Sequence, residues 1–286
     1  MRIALVGSSG YIAGFLIDRF KNNINVESIL KIDQLDADVK LDLQHAEDFD
    51  YNVLEDIDFI VFTAAVSGPD KCASDYDFCW SINVTGTSYF IHQAIKRNCK
   101  VLFFSSDAVF GDIPGYIYNE ESETNAQTPY GKMKKAVEDE FKNERLFKAI
   151  RLSYVASEKD RFISYCLKCI ESGECADIFH PFYRVVISVS DVVDVVEWFT
   201  KHWNEYNHTF LCVAGSELVS RVRMADEINR IFNDRLKYTI SEPDEQFYKN
   251  RPVITQMKSL FLQEYNILKE ETFTEKIQKQ LKTIKL

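Results

Sequence analysis

The sequence predicts an α/β protein: a doubly wound parallel sheet with a smaller, interleaved C-terminal lobe. Three observations carry this. Short apolar runs alternate with helix-patterned segments through residue 155, the runs are unbroken rather than alternating, and a glycine-containing turn directly follows the first of them. Unbroken apolar strands are expected where helices cover both faces of a parallel sheet. Right-handed crossovers then bring the strand C-termini to one edge, where ligands bind.

Ile3–Val6 reads as the first strand, too short for the apolar core of a secretory signal. A helix is expected from Gly10 to Lys21, strands at Val26–Ile32, Val39–Leu41 and Phe59–Ala64, and a long helix from Tyr76 to Arg97. Val101–Phe104 and Lys148–Leu152 complete the sheet, with a helix over Tyr130–Asn143 between them. The rhythm then changes. Arg161–Ser172 reads as a helix, Val185–Val189 as a strand, and Asp191–Trp203 as a helix opened by Ser190 as N-cap. A strand at Thr209–Val213 and a helix at Arg221–Phe232 follow. The tail from Glu242 is charged and irregular until a Lys-rich final helix.

Composition narrows the function. The chain has 286 residues, 46% of them hydrophobic, enough for a sizeable core. A net charge of −10 argues against a nucleic-acid partner. No apolar run approaches the roughly 18 residues of a membrane span, so no membrane partner is expected. Seven cysteines, scattered without a framework, read as reduced thiols and a cytoplasmic location. Cys166, Cys169 and Cys175 lack a fourth ligand, and the five histidines match no metal spacing, so no metal site is expected.

Gly7-Ser8-Ser9-Gly10-Tyr11-Ile12-Ala13-Gly14 joins the first strand to the first helix. Glycine at 7 allows a tight turn. Glycine at 10 lets the backbone approach a pyrophosphate seated on the helix N-terminus, and Ala13 lets the helix pack on the strand. The spacing is G-x-x-G-x-x-A. Gly7, Ser9, Gly10, Tyr11 and Ile12 are therefore candidate cofactor contacts in a Rossmann-type domain. Asp33, just past the second strand, can accept hydrogen bonds from the adenosine ribose and repel a 2′-phosphate. It favours NAD(H) while leaving NADP(H) open, because Asp36 and Asp38 offer rival registers and Lys31 is near. The expected division is residues 1–155, with 179–203 returning to them, as the dinucleotide domain, and 156–178 with 204–286 as a substrate-binding lobe.

Tyr130-Gly131-Lys132-Met133-Lys134 is a Y-x-x-x-K at a helix start, placing phenol and ammonium on one helical face. The cation is expected to lower the Tyr130 pKa and make it a general acid or base. Ser106, after a core strand, completes a catalytic group of Ser106, Tyr130 and Lys134; Tyr130 and Lys134 would also meet the cofactor.

In this order the motifs resemble the extended short-chain dehydrogenase/reductases, the NAD-dependent epimerase/dehydratase group acting on nucleotide sugars. Leu41-Asp42-Leu43 resembles that family's adenine-side segment, and Thr63-Ala64-Ala65 its small-residue turn along the cofactor. Asn83-Val84-Thr85-Gly86-Thr87 is similar to its N-V-x-G-T helix, and Phe103–Gly111 to its catalytic serine segment. The resemblance implies cofactor roles for Asp42, Leu43, Thr63, Ala64, Ala65 and Asn83. Dehydratases carry Asp-Glu after the serine, whereas this chain has Asp107-Ala108. Arg151-Leu152-Ser153-Tyr154-Val155 and Arg251-Pro252 resemble segments of the dTDP-4-dehydrorhamnose reductase branch. Tyr183–Asp191 resembles the family's R-D-F-I-x-V-x-D segment, in which the arginine, here Arg184, meets the diphosphate.

The resemblance implies reduction of a nucleotide-linked 4-keto-6-deoxy sugar, with Ser106, Asp107, Arg184 and Arg251 as substrate contacts. Its partner would be a nucleotide-diphosphate sugar. A 4-epimerase with tightly bound NAD, and a non-catalytic regulatory subunit retaining the fold, are the alternatives. The resemblance also implies a homodimer, formed through helices around Ser74–Lys96 and Tyr130–Asn143.

Overall fold

The computed structural model describes residues 1–113 and 115–284. Its large sheet has seven strands: β1 (Arg2–Val6), β2 (Ser28–Asp33), β3 (Val39–Lys40), β4 (Phe59–Phe62), β5 (Lys100–Ser106), β6 (Phe147–Leu152) and β10 (Phe210–Val213). Their spatial order is β10-β6-β5-β4-β1-β2-β3. The pairings β1–β2, β1–β4, β2–β3 and β4–β5 are parallel. β4 and β6 are buried at every residue, as strands covered on both faces must be. The chain runs outward from β1 through β2 to β3, then crosses back to lay β4 on the other side of β1. That reversal is the switch point at which a doubly wound sheet opens a crevice. Register places Val6 opposite both Ile32 and Phe62, so the turns leaving β1, β2 and β4 emerge together.

The remaining elements are α1 (Tyr11–Lys21), α2 (Pro69–Ser74), α3 (Tyr76–Trp80), α4 (Thr87–Lys96), α5 (Pro129–Phe141), β7 (Tyr154–Ala156), α6 (Arg161–Ser172), β8 (Ala176–Phe179), β9 (Tyr183–Ser188), α7 (Val189–His202), β11 (Leu218–Ser220), α8 (Arg221–Ile231), β12 (Tyr238–Ser241), α9 (Glu245–Tyr248), β13 (Ile254–Thr255) and α10 (Phe273–Leu281). None is a helix long and apolar enough to cross a membrane.

Three departures from the sequence reading have physical causes. The single helix expected over Tyr76–Arg97 is interrupted by a π-helical turn at Ser81–Gly86. There the Asn83 amide accepts from Val66 N at 2.8 Å and donates to Val66 O at 2.9 Å, tying the helix to the loop after β4. Ser190 is not the N-cap of α7, which begins at Val189. Asp191 instead accepts from Ser188 N and Ser188 Oγ, and Ser190 Oγ donates to Gln280. The tail beyond Glu242 contains α9 and β13 before α10, and β12 just precedes it. These strands and the small helix are two to four residues long, too short to show a period.

The chain divides into two compact units, residues 1–111, 122–151 and 195–211 in the first and 112–121, 152–194 and 212–286 in the second. The return to the first unit thus comes at 195–211 and not at the expected 179–203. The reason is pairing: β9 joins β7, β11 and β13 in a small sheet of its own, while β10 adds to the large one. Residues 112–121 join the second unit because Tyr118 bridges Met257 and Glu120 accepts from Cys212 N, Ser259 Oγ and Leu260 N.

Each unit has its own core. Phe62, Phe90, Phe103, Phe141 and Phe147 fill the first. The apolar stripe of α6, including Cys166 and Cys169, packs on α8 and β8 in the second, in a cluster that also holds Phe273 and Ile277 of α10. Asp160 caps α6 by accepting from Phe162 N and Ile163 N, and Gly173 ends it at φ 75°.

The π turn presses its backbone on the segment after β3: a Cβ at Gly86 would lie 1.7 Å from Leu43 O. Gly86→Ala is expected to cost about 1–3 kcal/mol of stability, read as a lower denaturant midpoint at unchanged slope.

Candidate active site

The crevice at the switch point is floored by backbone. Gly7 has φ +85°, and a Cβ there would stand 2.6 Å from Ala64 N, so both conformation and space require glycine. Gly7 N donates to Ile32 O at 2.9 Å and Gly10 N to Gly7 O at 3.0 Å, fixing the loop. Gly10 is the N-cap of α1 and contributes no side-chain cap, so the first-turn N–H groups face whatever binds there. Ala13 is fully buried.

A cavity of about 240 Å³ lies at this edge. Of the expected cofactor contacts, Gly7, Ser9, Gly10, Asp33, Asp42, Leu43, Thr63, Ala64 and Ala65 line it, joined by Val6, Ile32, Gln34, Leu41, Val66 and Ile82. The sequence reading missed the last group, although register pairs Val6 with Ile32 and so aligns the strand ends. Asp33 accepts from Ser9 N at 2.8 Å and Gln34 N at 2.7 Å, which locks its carboxylate against the glycine loop. Asp42 accepts from Gln44 N at 3.0 Å. Thr63 Oγ1 lies within donating distance of Val6 O and Gly7 O.

Other expected contacts sit elsewhere. Tyr11 and Ile12 are on the first turn of α1, with Tyr11 exposed. Asn83 is buried behind the wall, where its amide fixes Val66, itself a wall residue. Its place is explained by the loop it holds.

Ser106 ends β5, and Asp107–Val109 form a short 3₁₀ turn after it. Ser106 Oγ donates to Asp107 Oδ1 at 3.0 Å and accepts from Ala108 N at 3.2 Å. Thr128 caps α5 by accepting from Gly131 N, with Pro129 in the first turn. Gly131 is the residue the sequence reading passed over: a Cβ there would stand 2.0 Å from Ala108 O. This backbone contact sets the start of α5, and with it Tyr130, against the Ser106–Ala108 turn.

Lys134 is buried one helical turn on. Its Nζ donates to Phe104 O at 2.7 Å, 4.4 Å from the Phe103 ring centroid and 5.8 Å from that of Tyr130. Burial lowers its pKa to about 7, against the opposing pull of Glu138 and then Cys72. Tyr130 moves opposite to the sequence expectation. Burial, then Cys72, Asp107 and Tyr11, push its pKa above the ordinary tyrosine value. Desolvation is the largest cause, so the phenol stays protonated at neutral pH.

In the second unit, Arg184 donates from Nη1 to Tyr183 O at 2.6 Å and Val253 O at 3.2 Å, and from Nη2 to Pro252 O at 2.8 Å. Its guanidinium lies 4.0 Å from the Phe182 ring centroid. Arg251 donates to Phe247 O at 3.1 Å. The two arginine segments are thus brought together by Arg184 and by β9–β13 pairing.

Lys134 generates a stability prediction. Its folded pKa is depressed below the unfolded value of 10.5, so its cost to the fold is full below about pH 7 and fades as pH rises toward 10.5. Lys134→Met is expected to stabilise the ligand-free protein by on the order of 1 kcal/mol at pH 6, with the gain shrinking toward pH 10 in denaturant titrations.

Solved structures share this architecture. The chain is similar to a dTDP-4-dehydrorhamnose reductase from Clostridium acetobutylicum, at 20% identity and TM-score 0.84 with 98% of each chain covered. It is also similar to dTDP-4-dehydrorhamnose reductase from Bacillus anthracis in complex with NADP, at 17% identity and TM-score 0.84, covering 98% of this chain and 97% of that one. MoeE5 in complex with UDP-glucose and NAD matches at 18% identity and TM-score 0.80, with the same coverage. No curated protein sequence matches the chain significantly. The profile of the RmlD substrate binding domain matches residues 1–286, so the chain belongs to that family.

Proposed function

We propose that this chain reduces a nucleotide-linked 4-keto-6-deoxy sugar with a nicotinamide dinucleotide, and that NAD(H) is preferred to NADP(H). The family supports the broader description, an NAD(P)-dependent sugar-nucleotide oxidoreductase. The observation that carries the narrower one is the backbone contact of Gly131 with Ala108 O, which sets Tyr130 against the Ser106 turn. Ala108 stands where a dehydratase-like glutamate would remove a second proton, which leaves carbonyl chemistry.

The crevice residues fit a dinucleotide. Gly7, Ser9 and Gly10 would lie along the pyrophosphate, the two glycines with no Cβ to keep it from the first-turn N–H groups of α1. Asp33 and Asp42 would face the adenosine side. When bound, the cofactor supplies the hydride.

The chain's own residues handle the oxygen of the carbonyl. Ser106 Oγ now donates to Asp107, and a substrate oxygen would take that proton's hydrogen bond, placing stabilisation where negative charge develops. Tyr130, held protonated by burial, would give its proton to that oxygen. Lys134 as a cation would steady the phenolate that results. Arg184 and Arg251 are the candidate contacts for the substrate diphosphate.

Purified protein is expected to oxidise NADH in the presence of a dTDP- or UDP-4-keto-6-deoxyhexose. Tyr130→Phe should lower kcat by about 10²–10⁴-fold and Ser106→Ala by about 10²-fold, with melting temperatures near wild type. Wild-type rates in Tyr130→Phe would overturn the mechanism. The Asp33 carboxylate predicts a kcat/KM preference for NADH over NADPH. Asp33→Asn keeps an acceptor for Ser9 N but removes the charge, and should shift that ratio toward NADPH by roughly tenfold, about 1.4 kcal/mol.

A further inference from the structure

Behind Tyr130 and Lys134, a third residue occupies the same face of α5. Tyr130, Lys134 and Glu138 follow one another at i, i+4 and i+8, successive turns of one helix. Glu138 is 2% exposed. A carboxyl group that buried neutralises itself unless a cation holds it ionised. Arg151, from β6 and 3% exposed, meets it as a fork: Nε lies 3.1 Å and 3.2 Å from the two Glu138 oxygens and Nη2 lies 2.8 Å from Oε2. The guanidinium is itself set between rings, 5.0 Å from the Phe110 centroid and 4.2 Å from that of Phe210.

We propose that Glu138 is a positioning residue: pinned by Arg151, its carboxylate holds Lys134 toward its cationic form, ready to receive the charge left on Tyr130. This rests on the reading of Tyr130 as proton donor.

The arrangement around Lys134 supports it. Among the described residues, the titratable side chains acting on Lys134 are Glu138 from its own helix and Cys72 from α2, with Glu138 the stronger. Tyr130 presents its ring, and β5 presents the Phe104 carbonyl and the Phe103 ring, none of which carries a full charge. Asp107, on the 3₁₀ turn, acts on Tyr130. Arg151 engages both Glu138 oxygens, so the carboxylate does not swing to hydrogen-bond Lys134, and the ammonium keeps its bond to Phe104 O. Glu138 therefore acts on Lys134 through its field, at a fixed distance along the helix. A buried ion pair that costs the fold desolvation is retained, on this account, for the charge state it confers next door.

The test reads Lys134 directly in the cofactor-free protein. Lysine labelled at Cε is followed by NMR across pH, with Lys134→Met, Lys148→Met and Lys276→Met assigning the three buried resonances. Lys134 should titrate near 7. In Glu138→Gln its midpoint should fall by at least about one pH unit. The double variant Glu138→Met with Arg151→Met swaps the ion pair for apolar groups that fold well in comparable settings, and it should show the same fall. A midpoint unchanged in the double variant overturns the proposal, whether or not Glu138→Gln folds. In turnover assays the alkaline limb of kcat/KM should move acidic by the same amount in Glu138→Gln, whereas a purely structural role would lower activity evenly at all pH values. Absence of turnover in wild type with every keto-sugar would sink the functional reading and leave the NMR midpoints to decide Glu138 alone.

Discussion

Backbone touching backbone at three glycines is the constraint on which the rest of the site depends. Gly7 meets Ala64, Gly86 meets Leu43 and Gly131 meets Ala108. Ala64, Leu43 and Ala108 lie in turns that leave β4, β3 and β5, and Gly7 follows β1, so these contacts gather at the carboxyl edge of the sheet. Each meeting forbids a methyl group. Together they decide how closely the glycine loop, the turn after β3 and the start of α5 approach one another. Side-chain chemistry is then added to spacings already set by main chain.

Electrostatics at this edge are governed by exclusion of water. The same burial raises the Tyr130 pKa and lowers that of Lys134, so each group is displaced toward its neutral form. A folded core gains nothing from an ammonium bonded to one carbonyl over a phenylalanine ring, and the Glu138–Arg151 pair beneath it is a second expensive arrangement. Local choices that weaken the fold while sharpening reactivity are where function is usually found.

Much of this was legible in the chain. Continuous apolar runs gave the parallel strands, because complete burial erases the alternation of a half-exposed sheet. The bounds of α6 agree with the helix expected at Arg161–Ser172, which Asp160 and Gly173 cap for hydrogen-bonding and steric reasons. What escaped depends on distant partners. Asn83 looks like a cofactor contact in sequence, yet its amide is taken by Val66, a pairing no local pattern announces. Ser190 looks like a cap, yet Asp191 bonds Ser188 because Lys276 from α10 also meets it there. The direction of the Tyr130 shift was misread because i, i+4 spacing reveals a neighbour's charge and says nothing about how dry the site is. Glu138 followed the same spacing and was passed over, since its meaning comes from Arg151 on another element.

The strand order also bears on how the protein is made. β6 is buried along its whole length and lies between β5 and β10. β10 is reached only after α6, β8, β9 and α7 have been added to the chain. Until then a nascent polypeptide carries β6 as an open, apolar edge with unpaired amides and carbonyls, the kind of surface that recruits other chains. The N-terminal half cut off after β6 would therefore be an aggregating fragment, and a usable minimal form of the first unit would have to be spliced to include residues 195–211.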